Sequence, residues 1–303
     1  MSFARLQERI DELQNPTVVG LDPDLAHIPE SLLEKHIKKL GENLEAASLA
    51  VLEFNTGLID AVCDIVPAVK PQSAYYEMLG PYGVLALNKT CDYARSKGMF
   101  VILDGKRNDI GSTAAAYSAA YLGTVKVGSS EFMPFNADAL TVNAYLGSDG
   151  IKPFIDTAVE FDKAVFALVR TSNPSAGELQ DKLIGEDKLF TLVGDLMEDI
   201  SKHTIDKYGY TCVGAVVGAT YPQEAEILRK RLKNTFFLVP GYGAQGGSGT
   251  EAAKAFDENG RGAIVNSSRA IIAAWKKHGG DYAAAAREEA LKMRDELRKA
   301  VYG

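Results

Sequence analysis

The chain has 303 residues, 46% hydrophobic and 24% charged, with a formal net charge of −7. Such a composition suits a globular chain with a sizeable core, and its acidic balance disfavours nonspecific nucleic-acid binding while allowing a local basic site for an anion. The three cysteines, Cys63, Cys91 and Cys212, are too few and too scattered for a disulfide framework or a Cys-x-x-Cys metal knuckle, which points to a reducing compartment.

No stretch approaches the roughly 20 apolar residues of a membrane span. The opening Met1-Ser2-Phe3-Ala4-Arg5-Leu6 lacks a basic-then-apolar leader. A cytoplasmic protein is expected, with neither membrane nor nucleic acid among its partners.

Eight short apolar runs follow one another, each ending in polar, Gly or Pro residues: 17–21, 66–70, 100–103, 139–142, 164–169, 212–217, 236–239 and 263–266. Between them lie helical patterns. Glu34–Ile65 keeps apolar residues at i, i+3 and i+4 except at Asn55, and 112–122, 183–208, 222–232, 249–259 and 281–301 also read as helix. Near-continuous apolar strands alternating with helices imply parallel strands covered on both faces. Eight such units predict an α/β fold, a (β/α)8 TIM barrel, as one domain over residues 1–303. Extra length after the first strand (Pro23 to about Leu40) and after the fifth (Ser172 to about Thr211) falls at strand C-terminal ends, where barrel enzymes build their sites.

Those ends are unusually charged. They read Asp22-Pro23-Asp24, Lys70-Pro71-Gln72, Asp104-Gly105-Lys106-Arg107-Asn108-Asp109-Ile110-Gly111-Ser112-Thr113, Arg170-Thr171-Ser172-Asn173, Pro240-Gly241-Tyr242-Gly243-Ala244-Gln245-Gly246 and Asn266-Ser267-Ser268-Arg269. Side chains two apart in an extended segment share a face, so Asp104 and Lys106 should stand together where the third strand ends, with Asp109 or Ser112 capping the next helix. Buried charges are costly unless paired, so this many at one rim indicates a functional site rather than core. The glycine-rich segment after the seventh strand matches G-x-G-x-x-G but sits too late in the chain for a dinucleotide fold. In a barrel, the loops after strands seven and eight with a helix N-terminus commonly hold a phosphate, and Arg269 can add a charged fork. Tyr242 is a candidate to close over a ligand. The four histidines show no metal spacing.

These strand ends resemble the orotidine 5′-phosphate decarboxylase family, in particular its longer, bacterial-type branch. The match is carried by Leu21-Asp22-Pro23-Asp24, Val69-Lys70-Pro71-Gln72, the 104–113 block, Pro240 to Gly246 and Ser268-Arg269, in the family's order over nearly the whole chain. The resemblance implies a cofactor-free lyase converting orotidine 5′-phosphate to uridine 5′-phosphate in pyrimidine synthesis. It implies a charge network of Lys70, Asp104, Lys106 and Asp109 in a homodimer, with Asp109, Ile110 and Thr113 crossing to the neighbouring site. Asp22 and Lys70 would touch the ribose, and Ser172 (or Thr171 in its place) the pyrimidine. Pro240 would join the substrate-binding set, and Gln245, Ser268 and Arg269 would hold the phosphate.

The chemistry fits this set. Losing CO2 from C6 leaves a carbanion that the ring delocalises poorly, and no motif supplies a cofactor electron sink. A fixed ammonium at Lys106 can stabilise that charge and donate the proton, with Asp104 and Asp109 keeping it charged. Two alternatives share some of these features: a Mg²⁺-dependent sugar-phosphate decarboxylase or aldolase of the same superfamily, and a barrel that only binds nucleotide. The first needs a carboxylate where Lys70 stands.

Overall fold

All eight apolar runs become strands of one closed parallel barrel: β1 Thr17–Leu21, β2 Ala68–Pro71, β3 Phe100–Arg107, β4 Ala139–Val142, β5 Ala164–Arg170, β6 Val213–Val217, β7 Phe237–Val239 and β8 Ala263–Ser267. The computed structural model describes residues 2–243 and 247–303. Every strand pairs only with its sequence neighbours, and β1 pairs with β8 to close the ring, which gives the (β/α)8 architecture expected from the pattern.

The two-residue period of a strand explains both what fills the barrel and where it turns polar. Val18, Ala68, Phe100, Ile102, Phe166, Leu238 and Ile264 form one buried cluster inside it. Two residues further along the same rows, at the C-terminal rim, stand Gly20, Lys70, Asp104, Asn266 and their neighbours. The alternate rows, among them Val19, Val69, Val101, Leu103 and Val265, pack outward against the helices in a second, larger core. One register therefore delivers an apolar plug below and a charged layer above.

The bottom of the barrel is closed by the helix Ser2–Leu13, which the sequence reading left without a role. Its Phe3, Leu6 and Ile10 join the interior cluster, and Phe3 lies 4.9 Å from both the Phe166 and Phe236 rings. Arg5 fastens the helix to Asp138 at 3.1 Å and Asp162 at 3.2 Å.

Several helical expectations need correction. The 34–65 segment is two helices, Glu30–Leu40 and Leu44–Val62, separated at Gly41, whose φ of +82° ends the first. Asn55, the break in that pattern, is wholly buried and donates to the Tyr76 hydroxyl at 2.8 Å. The 183–208 segment opens as a two-stranded ribbon, Leu183–Ile184 with Asp187–Lys188, because Gly185 at φ +66° supplies a tight turn. Only Leu189–Ser201 is α-helix. The 249–259 segment holds one helical turn, Gly249–Ala252, and a 3-10 turn. Helices at Gly80–Ser96, Gly111–Tyr121, Ser148–Phe161, Pro222–Arg231 and Tyr282–Val301 also cover the barrel. No described helix is long and apolar enough to cross a membrane.

Candidate active site

Asp104 is the centre of the polar layer. Lys70 donates to its Oδ2 at 2.6 Å, Gln72 to the same oxygen at 2.8 Å, Lys106 to Oδ1 at 2.8 Å and the Thr141 hydroxyl to Oδ1 at 2.7 Å. β2, β3 and β4 lie side by side, so their ends bring these five residues together. Asp104 and Lys70 are buried, 6% and 5% exposed, whereas the Lys106 side chain is 48% exposed and reaches into open space.

The electrostatics follow from that packing. Burial pushes the Asp104 carboxyl up, but the Lys70 and Lys106 ammonium groups more than offset it and hold it far below the usual carboxylate range. Burial likewise works against charge on Lys70, and Asp104 followed by Asp22 outweighs it, leaving Lys70 above the usual lysine range.

The expectation that Asp104 and Lys106 share a face is met, though not by regular strand geometry. Pairing between β3 and β4 slips between Leu103 and Arg107, and Lys106 has a φ of +47°. A non-glycine residue in the left-handed region costs about 1–2 kcal/mol, and such strain clusters where a side chain must be aimed. The backbone is held there by the Lys106 N–H, which donates to Thr141 Oγ1 at 3.0 Å.

A cavity of about 190 Å³ opens beside this group, lined by Asp22, Lys70, Gln72, Asp104, Pro240, Gly241, Tyr242, Asn266, Ser268 and Arg269. Asp22 Oδ1 and Asn266 Oδ1 are buried with no protein hydrogen-bond partner, as expected of acceptors waiting for ligand hydroxyls or amides. Ser268 starts the short helix Arg269–Ile272, and Asn266 Nδ2 donates to its hydroxyl at 3.3 Å. Gly20 makes room for that arrangement, since a Cβ there would lie 1.9 Å from Ser268 Oγ.

Of the residues singled out in the sequence, Lys70, Asp104 and Lys106 meet directly, and Asp22, Pro240, Ser268 and Arg269 line the adjoining cavity. Asp109 turns away, its carboxylate accepting from the Ile110 N–H at 2.8 Å. Ile110 is 54% exposed and Thr113 is also exposed. Neither Asp109 nor Ser112 caps the next helix. Gly111–Tyr121 begins from Ile110 with no side-chain cap, because Asp109 is spent on its own neighbour. Ser172 packs against Gly218 after β6 and does not line the cavity, while Thr171 is tied to Gln180. Tyr242 lines the cavity, and its hydroxyl is bonded to Glu296 of the helix Tyr282–Val301. Gln245 lies outside the described residues.

Sequence reasoning gave no role to Gln72, Thr141, Asn266 or Gly20. Gln72 and Asn266 could have been found as inward positions beyond an apolar run. Thr141, inside its run, has no such signal.

A closed parallel barrel with ion-paired lysines and a helix N-terminus at the C-terminal ends of its strands defines the class: a (β/α)8-barrel enzyme built for an anionic small molecule. The family model described as "Orotidine 5'-phosphate decarboxylase / HUMPS family" matches residues 19–285. Orotidine 5′-phosphate decarboxylase of Rhodopirellula baltica is 42% identical over 306 aligned positions, spanning 98% of this chain and 99% of its own length. That of Caldicellulosiruptor bescii is 42% identical over 274 positions, 90% of each chain. The solved OMP decarboxylase of Leishmania donovani superposes with a TM-score of 0.72 at 30% identity, covering 99% of each chain. The chain belongs to the orotidine 5′-phosphate decarboxylase family.

Proposed function

We propose that this barrel decarboxylates orotidine 5′-phosphate to uridine 5′-phosphate and CO2, the step that completes the pyrimidine nucleotide, using its own side chains alone. Its membership of the decarboxylase family and the ion-paired Lys70–Asp104–Lys106 cluster, buried at Lys70 and Asp104 and open at Lys106, carry the reading. The C6–carboxylate bond breaks, CO2 leaves, and the electron pair stays on C6. Of the two ammonium groups bonded to Asp104, Lys106 is the exposed one, and its Nζ gives the proton that makes the C6–H bond and is then replaced from solvent. Asp104 cannot move, because four donors hold it. A fixed carboxylate near the substrate carboxylate opposes the ground state more than the CO2-depleted transition state. Pre-aimed charge of this kind contributes roughly 3–4 kcal/mol per contact.

Asp22 and Lys70 serve the ribose, Ser172 the pyrimidine, and Ser268, Arg269 and Gln245 the phosphate, with Pro240 shaping the wall between them. The single orphaned oxygen of Asp22 and the open Arg269 side chain support this division. Phosphate binding remote from C6 would link distant contacts to the reacting carbon.

The working unit is a homodimer in the cytoplasm. Asp109, Ile110 and Thr113, turned outward on one chain, complete the neighbouring site. The outward display of Ile110 supports that reading.

The test is direct: the fall in absorbance of orotidine 5′-phosphate on adding pure protein, with and without EDTA. Turnover unaffected by chelation is expected, because an ammonium stands where a metal-binding barrel needs a carboxylate. Loss of activity with EDTA and rescue by Mg²⁺ would move the assignment to the sugar-phosphate branch. No turnover at all would leave a nucleotide-binding barrel.

A further inference from the structure

Past β5 the chain runs through Arg170, Thr171, Ser172 and Asn173, and soon forms the short helix Gly177–Gln180. The Gln180 side chain folds back on that start. Its Oε1 accepts from the Thr171 N–H at 3.0 Å and from Arg170 Nη1 at 3.3 Å, and its Nε2 donates to Thr171 Oγ1 at 2.7 Å. The Thr171 hydroxyl has one proton, which it donates to Asn173 Oδ1 at 2.6 Å, and Asn173 Nδ2 donates to Ser175 Oγ at 3.2 Å. The donors therefore run one way, from Gln180 through Thr171 and Asn173 to Ser175, on both sides of Ser172.

The anchor beneath is rigid. Arg170 is 1% exposed, ion-paired to Glu224 and 3.5 Å from Asp181, with its guanidinium 4.2 Å from the Tyr221 ring centre. Lys188 of the ribbon bridges Asp181 and Glu224, at 3.2 Å from each. Gly218 permits the close seat of Ser172, since a Cβ there would fall 2.9 Å from Ser172 Cβ. Gln180 and Thr171 are only half-buried. Their bonds bury little apolar surface, and what they determine is the path of the backbone.

We propose that Gln180 is a positioning residue for recognition of the pyrimidine ring, fixing the Thr171–Asn173 turn that carries Ser172. This rests on the reading that Ser172 meets the pyrimidine. The extra length after β5 then has a purpose: it carries the residue that orders the base-contacting turn, while the phosphate is held on the far side by the ends of β7 and β8.

The test uses the full-length enzyme and two ligands. Uridine 5′-phosphate has base, ribose and phosphate; ribose 5-phosphate lacks the base. Gln180→Leu should weaken uridine 5′-phosphate and lower kcat/KM for orotidine 5′-phosphate by about tenfold or more, the loss expected for two neutral hydrogen bonds and a longer charged one from Arg170. It should leave ribose 5-phosphate affinity unchanged. Gln180→Glu keeps the acceptor for Thr171 N–H and Arg170 but loses the donor to Thr171 Oγ1, so it should fall between Gln180→Leu and the parent enzyme. Should Gln180→Leu fold poorly, Thr171→Val reads the same contrast by cutting the relay at its middle.

Parent-like values for both ligands in an enzyme that turns over would overturn the positioning role alone. Equal weakening of both ligands would also overturn it, by showing general damage to the rim. A parent enzyme inert toward orotidine 5′-phosphate would instead remove the reading beneath it.

Discussion

Asp104 accepts four side-chain hydrogen bonds, two of them from ammonium groups, in a place where an unpaired carboxylate would be expensive. Asp104→Asn strands the buried Lys70 charge and should cost about 3–5 kcal/mol of stability at neutral pH. The pH dependence has a definite sign. A carboxyl held below its unfolded value contributes stability that is complete above that value and fades as pH falls toward the depressed one. The gap between parent and Asp104→Asn should therefore be flat through neutrality and narrow by about 1.4 kcal/mol per pH unit below about pH 4. Urea melts at pH 7 and pH 3 measure it, and an equal gap at both would mean that Asp104 is not the stabilising charge. Lys106 gives the complementary case. Lys106→Ala should keep uridine 5′-phosphate binding within about tenfold while turnover falls by more than about a thousandfold, the combined loss of proton donor and fixed charge. Near-normal turnover in that variant would end its assignment as proton donor.

At the scale of elements, the barrel separates stability from chemistry along its axis. The Ser2–Leu13 helix sits under the strands, opposite the rim that holds the charges. Phe3 is 1% exposed between Phe166 and Phe236. Phe3→Ala should cost about 3–5 kcal/mol through a cavity that the surrounding rings cannot collapse to fill. Its kcat below the melting range should stay within about twofold of the parent, since the N-terminal face of such a barrel serves stability. A large drop in kcat with unchanged urea resistance would show instead that the bottom helix communicates with the rim. The ribbon and the Gly177–Gln180 turn make the opposite case: they lie at the rim and are tied to it by Arg170, Lys188 and Glu224.

For the whole molecule the question is whether one chain makes a complete site. Asp109 is within three residues of Lys106 in sequence yet bonds only locally among the described residues. If it acts across a dimer, Lys106→Ala and Asp109→Ala subunits, each nearly inactive, should complement one another when mixed. Random exchange makes half the dimers hybrid, each with one intact site, so about a quarter of parent activity should return. No recovery after proven subunit exchange would place Asp109 outside the neighbouring site.

By itself, the sequence determined the class of fold and pointed to the charges, Lys70, Asp104 and Lys106, that meet at its rim. Eight apolar runs of strand length with charged ends can be covered on both faces in few ways, and the 104–113 block is dense enough in charge to stand out from ordinary loops. Only the tertiary structure decided how those charges are held. The slip after Leu103, the left-handed Lys106 and the support from Thr141 come from β3 packing against β4, which local pattern does not encode. The bottom helix and the ribbon escaped for the same reason. Their conformations are set by what they pack against or by a single glycine turn, and a periodicity read along one segment contains neither.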